Sequence, residues 1–279
     1  MSPYPVQAVV VGVDDSAASR QAVRLAAFEA LGQQRPLCLL HAFNWEPTVA
    51  AAGGHWSRHE AEQLLAAAEQ AARERAPGVQ IHSEIVEGAP ARALQHASRN
   101  AALVVIGDGG LTDYVTLPVE SVAMQVAAHA ECNVIVVRDR EEQPGPVLVG
   151  VDGTDHSDHA LAVAFDIAAQ RRAELVIIQV DEPRKDGADR APRSPTPQQE
   201  AAVAQWRQKY PGVVTRQRQE RGDPSRLLVQ AARTAALVVV GARGERPSHG
   251  ALGPVCLSVL HHAPCPVVIV RGRRRPSRP

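Results

Sequence analysis

The chain has 279 residues, 45% of them hydrophobic, with 30 basic against 30 acidic side chains and a formal net charge of zero. That length exceeds the usual single domain of about 100–150 residues and calls for two cores, while the balanced charge leaves no overall field to draw the protein to nucleic acid or anionic lipid. Four scattered cysteines are too few for a disulfide framework, no apolar run approaches the ~18 residues of a membrane helix, and the start MSPYPVQAVVVG lacks the basic and long apolar regions of a signal peptide, so the expectation is a cytoplasmic protein in a reducing compartment.

From the N terminus, short apolar runs alternate with stretches rich in Ala, Leu, Glu, Gln and Arg, the pattern of parallel strands joined by crossover helices. The first half reads as strand Ala8–Val13, helix Ser16–Leu31, strand Leu37–Phe43, helix Ser57–Ala76, strand Gln80–Val86, helix Pro90–Asn100, strand Leu103–Ile106, helix Glu120–Ala128 and strand Val134–Val137. Residues Glu141–Pro146, where charge gives way to Gln-Pro-Gly-Pro, read as a linker. The second half repeats the pattern with strands near Val147–Val151, Leu175–Val180, Val213–Arg218, Leu237–Val240 and Val267–Val270. The Val/Ile/Leu content of these runs suits strands covered on both faces. Glu46–Gly54 and the polar, Pro-rich Asp181–Pro197 read as loops. The predicted organisation is a domain over 1–140, a linker over 141–146, a second domain over 147–272 and a basic tail over 273–279.

The halves can be superimposed in sequence. Val-Gly12-Val-Asp14 answers to Val-Gly150-Val-Asp152 at an offset of 138, and Gly88-Ala-Pro90 answers to Gly222-Asp-Pro224 at 134. Leu103-Val-Val-Ile-Gly107 matches Leu237-Val-Val-Val-Gly241 at 134, and His129-Ala-Glu-Cys132 matches His262-Ala-Pro-Cys265 at 133. Ordered matches at nearly fixed offsets mark a duplication, with one residue lost between Gly241 and Cys265. The two Gly-x-Pro segments read as strand-to-helix turns with Pro at the first helical position.

These motifs, together with a Gly-x2-Gly turn after each fourth strand and the closing Leu260-His-His-Ala-Pro-Cys-Pro-Val, resemble the universal stress protein family in its tandem form. The resemblance spans nearly the whole chain. It implies an α/β fold of two tandem Rossmann-like domains, of the adenine nucleotide alpha hydrolase-like kind, each a five-stranded parallel sheet flanked by helices. It implies ATP as ligand, alone or with Mg2+, through a Gly-x2-Gly-x9-Gly-Ser/Thr loop. It also implies pairing of the two domains within the chain, with a monomer and a homodimer of tandem chains both open, and a protein partner of unknown identity.

Carried onto this sequence, the cofactor-binding residues are Gly12, Asp14, Gly107, Gly110, Ser121 and Val122 in the first half, and Gly150, Asp152, Gly241, Arg243, Gly244, Gly253 and Val255 in the second. Both loops depart from the family pattern. Glu120 stands where the third glycine belongs and would set a carboxylate beside a triphosphate, at about 1–4 kcal/mol for each like-charge contact at ~4 Å. It could instead turn away or hold a bridging divalent cation. In the second half Pro254 replaces the hydroxyl residue and removes one N–H, while Arg243 adds a guanidinium able to grip phosphate in bidentate fashion. The second site therefore ranks slightly above the first. Asp14 and Asp152, at the ends of the first strands, read either as contacts to the adenosine portion or as caps of the first helices, a role Ser16 and Thr154 could share.

Cys256, His261, His262 and Cys265 carry zinc-type ligands, but Cys-x4-His-His-x2-Cys is not a common zinc spacing, and buried small hydrophobes are the simpler reading. The only lysines are Lys185 and Lys209, so no Walker lysine exists, and no Gly-x-Ser-x-Gly elbow is present. The expected protein is not an enzyme, though slow ATP hydrolysis stays compatible with the sequence. Two functions compete: a nucleotide sensor in stress responses, and an interaction scaffold whose degraded loops no longer bind ATP.

Overall fold

The computed structural model of the chain describes residues 5–43, 58–109, 121–181, 197–243 and 252–271. The loop expected at Glu46–Gly54, the interior of the Asp181–Pro197 loop, Gly110, Glu120, Gly244 and the basic tail lie outside them. The chain divides into two units, Met1–Glu141 and Glu142–Pro279.

The first unit runs β1 (Val9–Gly12), α1 (Ala17–Gly32), β2 (Leu37–Phe43), α2 (Arg58–Arg75), β3 (Ile81–Glu87), α3 (Pro90–Ala97), β4 (Leu103–Gly107), α4 (Val122–His129) and β5 (Asn133–Val137). Its strand order is β3-β2-β1-β4-β5, with every pairing parallel. The chain moves outward from β1 to β3 and then reverses to reach β4. Right-handed crossovers therefore put α1 and α2 on one face and α3 and α4 on the other, and α1 does pack on α2 and α3 on α4. Covered on both faces, Val9, Val10 and Val11 in β1 and Val104 and Val105 in β4 are fully buried, as their unbroken apolar runs require.

The second unit repeats the plan: β6 (Val147–Val151), α5 (Asp155–Arg171), β7 (Leu175–Asp181), α6 (Pro197–Lys209), β8 (Thr215–Arg221), α7 (Pro224–Ala232), β9 (Leu237–Gly241), α8 (Pro254–His262) and β10 (Val267–Val270). Its order is β8-β7-β6-β9-β10, again parallel. Gly88 and Gly222 take φ of +127° and +148° in the turns before α3 and α7, a region open to glycine, and Pro90 and Pro224 open those helices.

Three expected elements shift by two residues or more at an end. The strand expected at Val213–Arg218 lies at Thr215–Arg221, and Val214 is exposed ahead of it. β8 has no apolar residue. It is an edge strand held by its backbone ladder to β7, from Leu175 opposite Thr215 to Asp181 opposite Arg221; side-chain hydrophobicity misplaced it because backbone pairing, not burial, defines it. The third helix ends at Ala97 instead of Asn100, with Ser98 closing it through N–H donation to the Leu94 carbonyl. The fourth begins at Val122, because Ser121 is its N-cap.

The linker segment is held to the second unit. Glu142 pairs with Arg171 at 3.3 Å, the Pro146 carbonyl accepts from Ala236 N–H at 3.0 Å, and a Cβ on Gly145 would stand 2.6 Å from the Thr234 carbonyl oxygen.

Candidate functional site

In the first unit β1 and β4 lie side by side, with Val9 opposite Leu103 and Val11 opposite Val105. Their C-terminal ends meet where the strand order reverses, the crevice in which open parallel sheets bind ligands. The second unit builds the same crevice from β6 and β9, with Val149 opposite Val239.

The strand-one turns are built alike. Ser16 caps α1 by accepting from Ser19 N–H at 3.0 Å, and Thr154 caps α5 by accepting from Ser157 N–H at 3.3 Å. The aspartates are not the caps. Asp14 Oδ1 accepts from Ser16 N–H at 2.9 Å, and Asp152 Oδ1 accepts from Thr154 N–H at 3.1 Å and its hydroxyl at 2.7 Å. Each carboxylate thus shapes the turn that presents it, and both side chains are exposed at the rim of the crevice. Ser19 and Ser157, which the sequence reading missed, stitch the turns from below. Ser19 Oγ accepts from Asp14 N–H at 3.0 Å, and Ser157 Oγ accepts from Gly153 N–H at 3.2 Å while donating to the Thr154 carbonyl at 2.8 Å. The signal was available, since Ser19 and Ser157 hold the same place in the two halves.

Three of the glycines assigned to the ligand serve packing. A Cβ on Gly12 would lie 3.0 Å from Leu94 Cδ1 in α3, and one on Gly150 would lie 2.9 Å from Leu228 Cδ1 in α7. On Gly107 it would lie 3.0 Å from the Ala18 carbonyl carbon and Cβ and from Ser19 N, so this glycine admits the first turn of α1 against the end of β4. Gly241 ends β9 at the corresponding place.

Beyond these strands the units differ. Asp108 N–H donates to the Val137 carbonyl at 2.8 Å, and Ala242 N–H donates to the Val270 carbonyl at 2.9 Å, so both turns leave the sheet along the last strand. Gly109 then takes φ of +56°, whereas Arg243, at the same place in the second unit, is exposed and is not among the residues of positive φ. The backbone cradles are therefore not copies of each other.

The fourth helices start differently too. Ser121 is buried and its Oγ caps α4 by accepting from Met124 N–H at 3.1 Å, with Val122 as first helical residue. In the second unit Gly253 is the N-cap of α8 and makes no side-chain cap; its own N–H donates to the Ala242 carbonyl at 2.8 Å, tying the helix start to the turn that carries Arg243. Pro254 has no N–H, Leu257 N–H returns to the Gly253 carbonyl, and the N–H groups of Val255 and Cys256 lie in the first turn, where a helix offers no internal acceptor. The structure thus brings Gly241, Arg243, Gly253 and Val255 together, and in the first unit sets Ser121 and Val122 at the start of α4.

Cys256 is buried on α8 and Cys265 is buried just ahead of β10. Burial pushes the Cys256 thiol up to about 12 against a smaller lowering by Arg271, and burial pushes Cys38 up to about 12 as well, with the Glu84 charge adding to it. No group of three or more metal-ligating side chains occurs among the described residues, and no helix among them is long and apolar enough to cross a membrane.

The profile of the universal stress protein family matches residues 5–138 and 145–271. A universal stress protein of Mycobacterium tuberculosis is 35% identical over 285 residues, covering 94% of this chain and 96% of that protein, and one of Mycolicibacterium smegmatis is 33% identical over 289 residues, covering 95% and 97%. The crystal structure of a universal stress protein from Archaeoglobus fulgidus shares the fold at a TM-score of 0.65 and 20% identity, over 95% of this chain and 96% of that one.

Proposed function

The chain belongs to the universal stress protein family, and from that premise we propose that it is a cytoplasmic stress-response protein that binds ATP, with Mg2+, at the crevices of its two units and signals occupancy to a protein partner. The family is one of non-enzymatic stress-response proteins, and no turnover is assigned to the site.

The observation that carries the reading is the start of α8. An uncapped helix N-terminus presents N–H donors and the positive end of the helix dipole, a ready anion site. Arg243 stands in the turn to which that helix start is bonded, and its planar fork suits a phosphate. Asp152, held at the rim by Thr154, is placed to accept from the sugar or base of the same nucleotide. In the first unit the Ser121 hydroxyl spends a lone pair on its cap and keeps its proton to donate. Mg2+ would neutralise the phosphate oxygens; the chain's part is to orient them.

Calorimetry of nucleotide-free protein with ATP and magnesium tests this. Two sites are expected, of unequal affinity, with the tighter in the second unit. Replacing Arg243 with Glu puts like charge near phosphate, at about 1–4 kcal/mol for a ~4 Å contact, and should remove the tighter event while leaving the weaker. An absence of heat at millimolar ATP, or an unchanged titration of R243E, would overturn the reading.

A further inference from the structure

Beside the first unit's turn lies a buried charged pair whose acid is replaced in the second unit by Ala242. Asp108 follows Gly107 directly, and its side chain is 8% exposed; Arg138, the first residue after β5, is 4% exposed. Arg138 Nη1 stands 3.6 Å from Asp108 Oδ2, across the same gap that the Asp108 N–H to Val137 carbonyl bond spans at 2.8 Å. The carboxylate and the guanidinium are therefore both buried beside the turn. In the second unit Ala242 occupies the place of Asp108, 5% exposed, with the same backbone bond to the last strand, and Arg271 occupies the place of Arg138.

The comparison separates fold from function. Burying two charges is expensive, and their attraction repays it only with good geometry. The second unit makes the turn with a methyl group, so the ion pair is not needed to make it. What the pair supplies is anchorage of the one residue between Gly107, clamped against α1, and Gly109, which takes φ of +56°. It also neutralises an acid that would otherwise stand close to phosphate.

We propose that Asp108 and Arg138 are positioning residues of the first unit's nucleotide site, holding its glycine turn in the ligand-binding arrangement through a buried ion pair that touches no ligand. This inference rests on the nucleotide reading above. It makes the two sites different in kind: the second depends on an exposed cation and an uncapped helix, the first on a pair of buried charges.

The test uses the full-length chain with R243E silencing the second site, so that calorimetry with ATP and magnesium reads the first site alone. Asp108→Ala by itself unbalances the buried pair and should lower the melting temperature. Asp108→Ala with Arg138→Met removes both charges and should melt above the single variant, yet ATP affinity should stay at least about tenfold weaker than the parent's. Asp108→Asn, which keeps shape without charge, should give an intermediate affinity. Parent-like affinity in the double variant would overturn the positioning role. A parent that binds no ATP would overturn it as well, but by sinking the nucleotide reading of the first unit, a result distinguishable because it precedes any change at Asp108 or Arg138.

Discussion

Replacing Gly107 with Ala asks whether this glycine serves the ligand or the fold. The added Cβ would stand 3.0 Å from three atoms of α1, the Ala18 carbonyl carbon, Ala18 Cβ and Ser19 N. Carbon atoms rest at about 3.5–4.0 Å, so α1 or the end of β4 must move by roughly half an ångström. Neither has easy freedom. The first turn of α1 is pinned by the Ser16 cap at 3.0 Å and by Ser19 Oγ to Asp14 N–H at 3.0 Å, and β4 sits between β1 and β5. Overpacking of this kind costs about 1–3 kcal/mol. For a unit of this size that lowers melting by about 3–12 °C, at roughly 3–4 °C per kcal/mol. Asp14 rides on the displaced turn, so ATP affinity in the first unit should fall together with stability. Differential scanning calorimetry measures the first effect and titration the second. Gly212→Ala is the control: its Cβ meets nothing within 4 Å, and the change should be neutral or slightly stabilising, by up to about 1 kcal/mol. A Gly107→Ala protein that melts within about 1 °C of wild type would refute the packing argument.

Two further outcomes follow from burial. With Cys38 and Cys256 pushed up to about 12 and Cys265 buried, a thiol reagent at pH 8 should label only the half-buried Cys132 promptly, and all four cysteines after unfolding; prompt labelling of two or more in native protein would contradict the core assignment. Tyr210, stacked against both Trp206 and Phe165 and donating to Asp166, has its pKa raised, first by burial and next by that hydrogen bond. The folded state then keeps a proton that the unfolded chain loses near pH 10, so stability should decline as pH rises through that region. Tyr210→Phe should flatten the decline in an alkaline denaturation series, and an identical slope in the variant would remove Tyr210 as its cause.

Local pattern was enough to read the duplication, the parallel α/β plan and most strands, because a strand covered on both faces must be apolar along its whole length and a crossover helix must not be. Two caps were legible for the same reason, since Ser16 and Thr154 accept from N–H groups three residues away, whereas Ser121, read as a ligand residue inside a helix from Glu120, caps that helix from outside it. β8 escaped, since an edge strand is defined by its neighbour's backbone and its own residues are free to be polar. The glycines were recognised as necessary, but the close packing that Gly12, Gly107 and Gly150 permit was not. Whether the missing side chain of Gly107 makes room for a phosphate or for Ala18 depends on a helix 89 residues earlier in the chain. Asp108 and Arg138 lie 30 residues apart with a helix between them, and in sequence they are two ordinary charges at the ends of apolar runs. Sequence determined the elements and their repetition, because periodicity and capping act between near neighbours. Only the tertiary structure decided which charges are buried together and which helix ends stay uncapped beside a cation, because those depend on where parallel strands bring distant residues to the same edge of the sheet.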